Sequence, residues 1–232
     1  AKKAPLFTLF LQHIADKAKC KIDASSGWNH TSVKRNDDQL VLGWESPNDS
    51  RLSGLTVEVT PVSDPANNAW KWTIKVEGLN TEWTITDVIF PQVSLAEWST
   101  DQEVLFPRGP GGVRKDVCRE AFTYRCRYPS GWGSMQFMAA YSPQPATGLY
   151  VGVHDPMGST KEIVLESDPA SQTVRLAYEN PAPDMGKPGN AFSLSGEAVW
   201  QLLRGDWFDA ACIYKRWVVA NAKWWPKLGK DG

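Results

Sequence analysis

Trp70-Lys71-Trp72-Thr73-Ile74-Lys75-Val76-Glu77 decides the fold class. Its apolar residues take every even position and its polar residues every odd one, the period of a strand with one buried and one wet face. Leu55-Thr56-Val57-Glu58-Val59-Thr60 repeats the pattern. Asp64-Pro65-Ala66-Asn67-Asn68 between them is turn chemistry, so the two segments are expected to pair antiparallel. Trp83-Thr84-Ile85 then slips phase to Val88-Ile89-Phe90 around Asp87, as a β-bulge would produce. Trp70, Trp72 and Trp83 are read as core.

Further strands are expected at residues 40–44, 135–141, 149–153, 162–166, 173–178 and 197–203, each bounded by Gly, Pro, Asn or Asp clusters. Strands this numerous and evenly spaced indicate a sandwich or barrel. Phe106-Pro107-Arg108-Gly109-Pro110-Gly111-Gly112 and Asn180-Pro181-Ala182-Pro183-Asp184-Met185-Gly186-Lys187-Pro188-Gly189 are loops, because proline removes ladder donors and glycine favours open backbone. The pattern changes at the end. Trp207, Ala210, Ala211, Tyr214, Trp217 and Val218 share one helical stripe, and Asp206 is placed to cap it. So bulky a stripe must dock, on the sandwich or on a following domain. Trp224-Trp225-Pro226 breaks the helix, and Lys230-Asp231-Gly232 reads as linker. The expected division is a sandwich over residues 1–204, then a helix and linker over 205–232.

With 232 residues, the chain is long enough to bury one large all-β core. Its net charge is −1, from 25 basic and 26 acidic residues spread along the chain, which disfavours nucleic acid and anionic membrane as partners. No apolar run is long enough for a membrane span, and Ala1-Lys2-Lys3-Ala4-Pro5 lacks the apolar core of a secretory signal. Four cysteines suit neither a disulfide scaffold nor a zinc site. Cys118 and Cys126 are either a cross-hairpin disulfide or two free thiols. Twelve tryptophans are the compositional outlier. Indoles build cores, and their flat faces also suit sugar rings.

Several segments occur in the order found in a group of bacterial glycoside-hydrolase-like proteins. They are Val88-Ile89-Phe90-Pro91, Tyr128-Pro129 leading to Met135-Gln136, Leu149-Tyr150 running to Asp155 with Lys161 downstream, and Gly205-Asp206-Trp207 opening a helix with Tyr214 and Trp217. The chain resembles the segment ahead of the catalytic barrel in those proteins. The resemblance implies a galactose-mutarotase-like β-supersandwich, a (β/α)8 barrel with the catalytic carboxylates as the absent partner, an oligo- or polysaccharide ligand, and an extracytoplasmic location. An active site at the ends of barrel strands would lie outside these residues.

Trp98, Tyr128 and Trp132 sit in or beside loops and are the sugar-stacking candidates, with Arg108, His154, Asp155 and Lys161 as polar partners; the alternative is that they pack the sandwich edge or the absent barrel. His154 and Asp155 are adjacent, so on a strand they point to opposite faces. Asp155, Glu162, Glu166, Asp168 and Glu179 are candidate acids near strand ends, where solvated carboxylates are also ordinary. No cofactor is indicated and three histidines give no metal spacing, although calcium held by loop oxygens leaves no trace in sequence. Gly131-Trp132-Gly133-Ser134-Met135 lacks the second glycine of a nucleophile elbow, and Gly109-Pro110-Gly111-Gly112 is not followed by the Gly-Lys of a P-loop. The expected function is a non-catalytic accessory domain of a carbohydrate-active protein. The alternatives are a polysaccharide-active enzyme, with acids and His154 on the concave sheet face, and a purely structural interaction module.

Overall fold

A computed structural model describes residues 4–36 and 39–226. Its first strands are β1 (Thr8–His13), β2 (Lys19–Asp23), β3 (Trp28–Asn36), β4 (Gln39–Pro47), β5 (Thr56–Asp64), β6 (Ala69–Glu77) and β7 (Trp83–Ala96). Then come β8 (Glu103–Phe106), β9 (Gly112–Lys115), β10 (Thr123–Tyr128), β11 (Phe137–Ser142) and β12 (Thr147–His154). The last are β13 (Lys161–Asp168), β14 (Thr173–Pro181), β15 (Phe192–Ser193) and β16 (Glu197–Arg204), followed by helix α1 (Trp207–Asn221). The six-stranded sheet has the order β10-β13-β14-β7-β1-β2. The ten-stranded sheet runs β3-β4-β5-β6-β16-β12-β11-β8-β9, with β15 added beside β6. The fold is an all-β sandwich of antiparallel sheets with one C-terminal helix.

The inner faces meet in two apolar clusters. In one, Leu9 and Val88 of the six-stranded sheet pack with Val57, Val59, Ile74 and Val76 of the ten-stranded sheet. In the other, Ile163, Leu165 and Leu176 pack with Met138, Val151 and Val153. The expected pairing of β5 with β6 is present in register from Thr56 opposite Glu77 to Asp64 opposite Ala69. The phase slip in β7 is a bulge: Phe10 pairs with Asp87 and Leu11 with Ile85, leaving Thr86 as the extra residue. The Thr86 hydroxyl donates to the Phe10 carbonyl at 3.2 Å.

The tryptophan assignment needs a correction. Trp83 is buried, but Trp70 is 46% exposed and Trp72 only partly buried. Both share the inward parity of Ile74 and Val76, so the alternation is right. Burial fades toward the start of β6, because a residue on the inner face is covered only where another layer lies over it. Cys118 and Cys126 are free thiols with separate partners: Gln102 Nε2 lies 3.7 Å from Cys118 Sγ, and Ser130 Oγ 3.7 Å from Cys126 Sγ. Burial pushes the Cys118 thiol up to about 11, with the Glu97 charge adding to it.

Helix α1 docks on the sandwich itself. Asp206 caps it by accepting from the Phe208 N–H at 2.8 Å, while Asp209 reaches back to the Asp206 N–H at 3.1 Å. Ala210, Tyr214 and Val218 are buried against Phe137, Tyr150 and Leu203 on the outer face of the ten-stranded sheet. Trp207, at the edge of the stripe, stays exposed. The linker reading of Lys230-Asp231-Gly232 and residues 1–3 of the N-terminal reading lie outside the described residues. No helix among the described residues is long and apolar enough to cross a membrane.

Candidate functional site

The stacking candidates and their polar partners fall in two places, and most of the candidate acids in a third. The first is the end of β12. Tyr150, Gly152 and His154 alternate onto its outer face, and the missing side chain at Gly152 lets the Tyr150 ring lie along the strand. A Cβ at Gly152 would come within 2.9 Å of the tyrosine hydroxyl. That hydroxyl meets His154 Nε2 at 2.8 Å, and the imidazole stacks on Trp217 with centroids 4.6 Å apart. Burial, with Lys71 adding a second push, lowers the His154 pKa to about 3. The ring is therefore neutral and serves as packing between sheet and helix. Gly152→Val is expected to lift Tyr150 off the strand, break its bond to His154 and cost about 1–3 kcal/mol in urea unfolding. A loss under 0.5 kcal/mol would refute this account of the glycine.

Asp155 points the other way, into the sandwich, and is fully buried. Its carboxylate accepts from the N–H groups of Met157 at 2.9 Å and Ser159 at 2.7 Å, from the Ser195 hydroxyl at 2.8 Å and from Lys161 Nζ at 3.2 Å. Burial alone would raise the Asp155 pKa; the donors, Ser195 foremost, together with the Lys161 charge outweigh it and hold the carboxyl below its usual range. Lys161 is 2% exposed. It also donates to Gln136 Oε1 at 2.7 Å and to the Ser159 carbonyl, and its ammonium lies 4.9 Å from the centroid of the Tyr128 ring. Burial lowers the Lys161 pKa against the pull of Asp155. Asp155 follows β12 and Lys161 opens β13, so this ion pair ties the two sheets together. Tyr128 is 4% exposed beneath it. Asp155, Lys161 and Tyr128 therefore do not present themselves at the surface.

The second surface is formed by the loop joining β8 to β9 and the loop joining β10 to β11. Trp132 is 64% exposed, with Gly109 beneath its ring and the Arg108 guanidinium 5.9 Å from the ring centroid. The loops are held by the Gly109 N–H donating to the Trp132 carbonyl at 2.8 Å and by Ser134 Oγ donating to the Gly109 carbonyl at 2.8 Å. Trp98 is also exposed, in the loop before β8, so Arg108 and Trp132 lie beyond the other end of that strand.

Sequence reasoning does not single out the third surface, the outer face of the six-stranded sheet. Arg125 of β10 places one guanidinium nitrogen 2.6 Å from Glu162 of β13 and 2.6 Å from Glu179 of β14. Arg175 of β14 binds Glu166 at 2.6 Å and the Gln92 side-chain carbonyl at 3.1 Å. A cleft of about 700 Å³ lies over this face. The acids are visible in sequence, but only strand register brings them together: Glu162 opposes Glu179, and Glu166 opposes Arg175. Among the described residues no cluster of His, Cys, Asp and Glu is placed to hold a metal ion.

No family model and no curated protein matches this sequence. Solved structures do. An α-N-acetylgalactosaminidase from Bifidobacterium bifidum, in complex with GalNAc, is 10% identical with a TM-score of 0.65, over 91% of this chain and 33% of that one. A GH36 α-galactosidase from Geobacillus stearothermophilus, in complex with raffinose, is 13% identical with a TM-score of 0.58, over 94% of this chain and 33% of that one. An α-galactosidase from Lactobacillus brevis is 12% identical with a TM-score of 0.55, over 85% of this chain and 29% of that one. The fold is shared. The chain spans about a third of the length of these glycosidases, and at such identity the likeness establishes the sandwich and nothing about chemistry.

Proposed function

We propose that this chain is a non-catalytic accessory domain of a carbohydrate-active protein, and that it holds glycan through Trp132 and Arg108. One observation carries the reading: a largely exposed indole is held by loop hydrogen bonds beside a guanidinium. An indole face suits the C–H face of a sugar ring, and arginine N–H groups suit its hydroxyls. The fold shared with an α-galactosidase and an α-N-acetylgalactosaminidase supports the class of parent protein. In this reading the partners are an oligo- or polysaccharide and a separate catalytic unit, and the location is extracytoplasmic. Retention of the full chain on insoluble polysaccharides is expected, with Trp132→Ala weakening it about tenfold, or roughly 1.4 kcal/mol. Equal retention of the variant would refute the role of Trp132.

A second reading has its own observation. Glu162 and Glu179 both contact one nitrogen of Arg125, so two carboxylates meet at one cation on the outer face of the sheet, and glycoside hydrolysis also works through a carboxylate pair. Reducing-sugar release by the full chain, abolished by Glu179→Gln, would establish an enzyme. His154 would take no part, since it sits on the other sheet.

A further inference from the structure

We propose that the outer face of the six-stranded sheet is a second glycan site, shaped for a neutral oligosaccharide; this inference rests on the accessory-domain reading. The cleft of about 700 Å³ is within the range of small-molecule sites and has room for several sugar rings rather than one. Its lining is mixed, with an apolar patch at Phe10 and Ile89 that rests on buried Val164 and Ala177. On most exposed sheet faces such residues would be polar. Thr8 and Gln92 also line the cleft and are each 3% exposed, so polar side chains stand at its base as well. Gln92 Nε2 donates to Thr8 Oγ1 at 3.0 Å, leaving the threonine's own proton to donate elsewhere.

The charges select the ligand class. Three cations line the cleft, Lys21, Arg125 and Arg175, against four acids, Asp23, Glu166, Asp168 and Glu179. Both arginines are engaged: Arg125 with Glu162, Glu166 and Glu179, and Arg175 with Glu166. An anionic ligand would have to displace a carboxylate from its guanidinium and would meet an acidic surplus. A polyol meets no such opposition. Carboxylates and guanidiniums keep lone pairs and N–H groups free after pairing with each other, and these charge-assisted groups suit sugar hydroxyls. The apolar patch at Phe10 and Ile89 suits the C–H face of the ring. All these groups stand on paired strands, so the site is formed before the ligand arrives and little ordering cost attends binding.

Titration calorimetry with raffinose, stachyose, maltotetraose and cellotetraose, and with trigalacturonate as the anionic control, tests this on the full chain. At least one neutral oligosaccharide is expected to bind. Ser94→Trp, which fills the cleft from β7, should weaken it at least tenfold. Glu179→Gln, a shape-conserving variant, should also weaken it and guards against misfolding of the tryptophan variant; thermal melts check both. The inference is overturned if trigalacturonate binds as tightly as the neutral ligands, or if neither cleft variant changes affinity. It also falls if the protein dimerises through this face, shown by Ser94→Trp becoming monomeric in sedimentation. Retention on polysaccharide without any oligosaccharide binding would sink the cleft site and spare the accessory-domain reading, while no binding of either kind would remove both.

Discussion

Lys161→Met is expected to lower the unfolding free energy by about 3–5 kcal/mol, read as a shift of the urea midpoint at constant slope. Methionine keeps most of the apolar length of lysine and removes the charge. It leaves the fully buried Asp155 carboxylate facing a thioether, while the donors of Met157, Ser159 and Ser195 remain. The Gln136 side-chain carbonyl and the Ser159 carbonyl lose their shared ammonium donor at the same time. An uncompensated buried charge is costly because the interior cannot screen it as water does. Lys161→Met with Asp155→Asn should recover part of the loss, because the charge goes with its partner. A single-variant loss under 1 kcal/mol would show that the pair does not clamp the sheets. The consequence for function is direct: Asp155→Ala strands the lysine instead, so failure of that variant to bind glycan reports unfolding rather than loss of a ligand contact.

Acid is expected to destabilise the protein well above the pH at which its depressed carboxylates titrate. His154 has a folded pKa of about 3 against 6.5 when unfolded, because burial disfavours the charged ring and Lys71 opposes it. Between those values the unfolded chain takes up a proton that the folded chain refuses, so stability is complete above pH 6.5 and falls as the pH drops through the window below it. At pH 4 the loss is about 3 kcal/mol relative to pH 7. The neighbours that set the field are Lys71 and its partner Asp64 at 3.0 Å, Tyr150, Tyr214, and Arg216 of the helix. Asp16, Asp49, Asp64, Asp101 and Asp155 all titrate below the usual 3.8, so their contributions persist through most of this window. His154→Gln, which keeps a partner for the Tyr150 hydroxyl, should flatten the dependence of unfolding free energy between pH 7 and pH 4. An unchanged slope would place the titrating group elsewhere.

The two variants bear on how far the site was legible in the chain. His154 and Asp155 stand out in sequence as a chemical pair, and the strand rule already separates them onto opposite faces. What the rule cannot supply is burial: Asp155 lies under two sheets and His154 under a helix, and both serve architecture. Trp132 and Arg108 fared differently. Glycine and proline exclude them from a ladder, so their place on loops follows from local chemistry alone, and Trp132 is exposed as a loop aromatic can be.

The sequence by itself determined the all-β class, the strands with clear alternation such as β5 and β6, a bulge near Asp87, and the capped helix; strands β1, β2, β3, β8, β9, β10 and β15 it left unmarked. The marked elements depend on periods of 2 and 3.6 residues and on the backbone limits of glycine and proline, which act between near neighbours. Only the tertiary structure decided which face of a strand is covered and which acids share a cation. Trp70 and Ile74 have the same parity on one strand, yet the first is half in solvent and the second in the core. Glu162 and Glu179 are 17 positions apart and meet because β13 pairs with β14 in one register among several that the turn between them would allow. Coverage and register are set by the packing of whole sheets, and no window of sequence contains that packing.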